Sequence, residues 1–108
     1  MARLLVLCRH PHHLSRKQAE EWLRRELEAV LRRDRLRRAR LTRLDTAWEG
    51  STRSWDWLVE LQVDDGSPSG ALSSRSACGE LLADMRLLGM SPTVALAASG
   101  SAIDVASA

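Results

Sequence analysis

A chain of 108 residues, 44% hydrophobic and 28% charged, has the size and composition of one globular domain, which excludes the disordered, collagenous and membrane-spanning classes. Folding a chain of this length buries roughly two thirds of the surface its unfolded form exposes, enough for a single core. A formal net charge of +2 is too small for the positive field of a dedicated nucleic-acid binder. All but one of the sixteen basic residues are Arg, the exception being Lys17, a bias that fits GC-rich coding and a bacterial source.

Residues 3 to 10, Arg-Leu-Leu-Val-Leu-Cys-Arg-His, form a short continuous apolar run that stops at Pro11, as a strand buried on both faces reads. The run is far shorter than the roughly 20 residues of a membrane span, and no small-residue cleavage site follows it, so a cytoplasmic location is expected. Ser15 offers a helix N-cap, Gln18 completes a capping box, and Leu14 with Ala19 occupies the positions of a hydrophobic staple. The helix that follows carries Ala19, Trp22, Leu23, Leu27, Val30 and Leu31 as an apolar stripe. Glu20/Arg24, Glu21/Arg25 and Glu28/Arg32 are acid-first pairs on its solvated side. Arg32 and Arg33 complement the negative end of its dipole.

From Arg37 to Thr46 alternation of Ala39 and Leu41 with Arg38, Arg40 and Thr42 predicts a second strand, with Leu44 out of phase as at a bulge or strand end. Gly50, Ser51 and Thr52 supply a hairpin loop. In the third strand Trp55, Trp57, Val59, Leu61 and Val63 share one face, and Asp56, Leu58, Glu60 and Gln62 the other. Asp64 to Gly70 reads as a loop. Cys78, Leu81, Leu82, Met85 and Leu88 then keep helical spacing up to Gly89, which suits a left-handed terminator. Pro92 to Ala98 completes a fourth strand, and residues 100–108 read as a weakly tethered tail after a single domain over residues 1–99.

The resulting order, βαββαβ, predicts an α+β fold of the ferredoxin-like kind, a four-stranded antiparallel sheet with two helices on one face. The Trp face of strand three is the side for those helices. Leu4 to Leu7 offers apolar atoms to both sides and Leu58 adds to the uncovered one, which points to a partner sheet. The stretches Trp55-Asp56-Trp57-Leu58-Val59-Glu60-Leu61 and Leu81-Leu82-Ala83-Asp84-Met85-Arg86-Leu87-Leu88-Gly89-Met90-Ser91-Pro92-Thr93-Val94, taken with the element order over residues 3 to 98, resemble the dimeric α+β barrel superfamily. That resemblance implies two sheets paired face to face around a central barrel. It also implies a place among cofactor-independent monooxygenases, isomerases, ring-cleavage, decarboxylating and haem-degrading proteins, and members without assigned activity; the fold selects none of them. No family catalytic motif matches position by position.

His10, His12 and His13 surround Pro11 where the chain leaves the sheet. His10 is the candidate for proton transfer near neutral pH, with His12 beside a pocket mouth. Cys8 and His10 could begin a metal site with His12 or His13, against the plainer reading of a buried thiol and a polar loop; no metal is expected. Asp56 and Glu60 would point between paired sheets. Separated by about 13 Å along a strand, they are too distant for a dyad, so Asp56 alone is the candidate base and Glu60 a ligand contact; the alternative is pairing with Arg38 or Arg40 across the hairpin. Of the four Trp, Trp22, Trp55 and Trp57 fit core positions, whereas Trp48 at the hairpin end would line a ligand pocket or the dimer rim.

Arg32 to Arg43 holds seven Arg and one Asp. Strand one lacks base-stacking aromatics, so an edge strand guarded by charge is favoured over RNA binding. Two cysteines outside any CxxC pair fit buried reduced thiols. Without a phosphate-cradling Gly loop or a nucleophile elbow, no cofactor is expected. The reading is a homodimer binding a small organic ligand, as a cofactor-independent monooxygenase or isomerase, with a pocket between helices and sheet or within the shared barrel. The alternative is a non-catalytic dimerisation or ligand-sensing module.

Overall fold

In a computed structural model of the chain, the described residues are 2–34, 36–44, 55–63, 76–97, 103, 105 and 106. Among them the order is β1 (Ala2–Cys8), α1 (Arg16–Arg33), β2 (Arg38–Arg43), β3 (Trp57–Val63), α2 (Ala77–Leu88) and β4 (Thr93–Ala97). The strands form one antiparallel sheet in the order β2-β3-β1-β4. This is the ferredoxin-like arrangement expected from the sequence. Trp48, the hairpin loop at 50–52 and the loop at 64–70 lie outside the described residues, as does most of the segment 100–108.

β1 sits between β3 and β4, so its consecutive apolar residues serve both faces of the sheet. Leu4, Val6 and Cys8 join Trp57, Val59 and Leu61 of β3 against Ala19, Leu23, Leu27 and Val30 of α1 and Ala77, Cys78, Leu81, Leu82 and Met85 of α2. That single core places both helices on one side. Leu5, Leu7 and Leu58 face the other side and are half-buried.

α1 begins where Ser15 accepts from the Gln18 N–H at 3.1 Å and the Ser15 N–H donates to the Gln18 side chain at 2.9 Å. At its far end Asp34 has a second duty. Its carboxylate accepts from the backbone N–H groups of Ala77 at 3.1 Å and Cys78 at 3.2 Å, while Ser76 accepts from Gly79 at 2.9 Å. Three amides that the first turn of α2 leaves without an intrahelical partner are thereby satisfied. The end of α1 is tied to the start of α2, beside an exposed Arg33–Glu80 pair at 2.7 Å. α2 closes at Gly89, whose φ of 87° is left-handed.

Several expectations shift by a few residues. β1 ends at Cys8 because Pro11 removes a donor and restricts His10. Leu44 marks the end of β2, not a bulge. β3 starts at Trp57, so Trp55 is half-buried instead of lying in the core, and Trp22 is half-buried on the flank of the α1 stripe. Glu20 engages β2 in place of its helix neighbour Arg24: Arg43 donates to both of its carboxylate oxygens, at 2.5 and 2.7 Å. A forked guanidinium presented from an ordered strand loses less freedom than two long side chains meeting on a helix surface.

Candidate functional site

Two of the candidates, His10 and Asp56, meet at one end of the sheet, where β1 stops, β3 starts and α1 begins. The ladder continues one step past the strands: the Asp56 N–H donates to the Cys8 carbonyl and the Leu44 N–H to the Asp56 carbonyl, each at 2.9 Å. Asp56 is held on both sides by backbone. Its side chain, expected to share the open face with Glu60 and Gln62, instead accepts from the His10 N–H at 2.6 Å and from Arg16 Nη2 at 2.7 Å, and the residue is 7% exposed. The physical reason is the His10 N–H, which lies beyond the last ladder residue of β1 and which the nearby carboxylate satisfies.

The His10 ring is also engaged. Nε2 donates to the Leu14 carbonyl, and the ring meets Trp57 edge-on, with centroids 6.4 Å apart at 71°. A carbonyl accepts only, so a proton sits on Nε2 and the Nδ1 atom is left outside this contact. Trp57, 1% exposed, donates Nε1–H to Glu20 at 3.3 Å. Arg43, with a smaller contribution from that indole N–H, holds the Glu20 carboxyl below its ordinary range against the opposing effect of burial. Arg9 lies 4.8 Å over the Trp55 ring, and its buried Nε has no hydrogen-bond partner among the described residues.

The structure thus brings His10 and Asp56 together, but through the histidine's backbone. Glu60 is not with them: on the open face it stands opposite Arg40 of β2 and Leu5 of β1, while Arg38 stands opposite Gln62. His12 and His13 are exposed in the turn before α1, and Trp48 is outside the described residues. Among the described residues no three His, Cys, Asp or Glu side chains are grouped to hold a metal ion. The sequence reading missed Arg16, Glu20 and Arg43 as members of this cluster. Arg43 could have been found from the β2–β3 register, which places it opposite Trp57; Arg16 leaves no local signal.

Cys8 and Cys78 are both free and buried. Burial first, then the Asp56 charge, pushes the Cys8 thiol up to about 12; burial, then a hydrogen bond with Asp34, does the same for Cys78. Native protein at pH 8 should therefore take up iodoacetamide at neither cysteine over an hour, and at both in denaturant. Intact-mass spectrometry showing a native adduct would contradict that placement.

No helix among the described residues is long and apolar enough to cross a membrane. No family model matches the chain, and no curated protein matches it either. Among solved structures, an ethyl tert-butyl ether D (EthD) family protein from Bacillus halodurans is similar in fold, with a TM-score of 0.62 over 89% of this chain and 95% of that one. Identity between the two is 17%, so the likeness supports the fold alone.

Proposed function

We propose that this chain is a homodimeric small-molecule-binding domain, associating through the sheet face that the helices leave uncovered. The observation that carries the reading is the set Leu5, Leu7 and Leu58, adjacent on that face across β1 and β3 and shielded by no described element. A contiguous apolar patch in water is costly for a monomer, and a self-complementary sheet face is the economical way to cover it. The resemblance to dimeric α+β barrels and the fold shared with an EthD family protein support the same arrangement.

A specific observation favours the non-catalytic version, a ligand-binding or ligand-sensing module. The candidate base is committed within the protein: the Asp56 carboxylate, 7% exposed, accepts from the His10 N–H on one oxygen and from Arg16 on the other. A general base needs an acceptor free to reach its substrate. Two buried unpaired thiols suit a reducing compartment, and we place the protein in the cytoplasm, as one domain over residues 1–99 with 100–108 as a tail.

Light scattering at micromolar concentration should give twice the chain mass of 12.0 kDa. Leu7→Arg, which sets a charge in the apolar part of the face, should return it to one chain mass with its secondary structure retained. A single-chain mass for the unaltered protein would overturn the reading.

A further inference from the structure

The uncovered face is not uniformly apolar, and its rows run straight across the sheet. Thr42, Leu58, Leu7 and Thr93 form one row; Arg40, Glu60, Leu5 and Ala95 the next; Arg38, Gln62, Arg3 and Ala97 the third. Rows two residues apart along a strand are separated by about 6.7 Å, so the face changes from hydrocarbon to guanidinium over roughly 13 Å. At the charged end Arg3, Arg38, Arg40, Glu60 and Gln62 line a depression of about 120 Å³. That volume suits a headgroup rather than a whole ligand.

Among the described residues three guanidinium groups there stand with one carboxylate, an excess of two positive charges. Pairing two such faces, the arrangement proposed above on which this inference rests, would bring an excess of four into the space between sheets. Withdrawing uncompensated charge from water is costly unless a counter-charge enters with it. Guanidinium groups on a planar sheet present the forked donors that match a carboxylate. The apolar rows beside them would take a hydrocarbon body.

We propose that the ligand of this face is an amphipathic organic acid, its carboxylate held by Arg3, Arg38 and Arg40 and its apolar chain laid over Leu5, Leu7 and Leu58. The ligand supplies a counter-charge to these guanidinium groups. Its binding and the association of the chains are then linked, each strengthening the other.

Three eight-carbon probes that differ in headgroup test this in the full chain at constant ionic strength: sodium octanoate, octanol and octylamine hydrochloride. Octanoate at millimolar concentration should raise Tm by about 5 °C, the other two by little or nothing. Arg38→Gln combined with Arg40→Gln should abolish the octanoate shift while light scattering still reports a dimer. Equal shifts from octanoate and octanol, or an unchanged shift in the double variant, would overturn the proposal, as would inorganic phosphate matching octanoate. If the dimer persists while selectivity fails, only the ligand class is wrong; a single-chain mass with or without octanoate removes the association reading as well.

Discussion

Trp57→Ala should destabilise the fold by about 3–5 kcal/mol, the cost of an aromatic-to-alanine truncation in a packed core. The residue is 1% exposed and stands at the head of β3, between the buried Cys8 of β1 and the half-buried His10 ring. Removing it deletes the largest side chain of the core and the Nε1–H bond to Glu20 together. Neighbouring Cys8, Val6 and Val59 sit on strands pinned by ladder hydrogen bonds, so the space cannot collapse freely. A chain of this size has a total stability on the order of 5–15 kcal/mol, so the substitution consumes a large share of it. Trp57→Phe separates the two contributions: most of the aromatic body stays, the donor goes, and the cost should fall to about 1–2 kcal/mol. Urea unfolding at one fixed protein concentration measures both, since association would make the midpoint concentration-dependent. Equal costs for the two variants would mean that the indole hydrogen bond, rather than the packing, dominates.

What could be read in the sequence was local or periodic. Ser15 and Gln18 lie three residues apart and meet whatever the rest of the chain does, which is why the start of α1 was legible to the residue. Trp57, Val59 and Leu61 alternate with Leu58, Glu60 and Gln62, and the sheet keeps that alternation because one side has helices to pack against. Gly89 ends α2 by virtue of a conformation other residues avoid.

The illegible features join residues far apart in the chain. Asp34 caps α2 across more than forty residues, and nothing around it distinguishes a helix-ending aspartate from one with a second helix to serve. Glu20 has Arg24 at a favourable helical spacing, yet it takes Arg43, whose nearness exists only after β2 pairs with β3. Asp56 obeys the strand alternation in sequence and departs from it in structure. The strand has not begun at that residue, and an orphan N–H and a guanidinium lie on the other side. The sequence singled out His10 and Asp56 as candidates, but not the way the structure joins them.

That junction carries the second large effect. Asp56→Ala should cost about 2–3 kcal/mol, because it strips the charged acceptor from the His10 N–H in a nearly closed environment and frees Arg16. The two lost bonds are unequal. The Arg16 side chain is 56% exposed and regains water when the carboxylate goes, so its share should not exceed about 1 kcal/mol; the backbone N–H has no such recourse. Arg16→Gln should therefore be mild, Asp56→Asn intermediate because an amide oxygen can still accept from His10, and Asp56→Ala the most damaging. Asp56→Asn is also the discriminating change for function. If the carboxylate is a structural brace, ligand binding and any turnover follow the loss of stability and return on cooling or at higher protein concentration. A catalytic base would lose turnover outright while the Asn variant unfolds at nearly the original urea midpoint, and that pair of results would restore Asp56 to the chemistry.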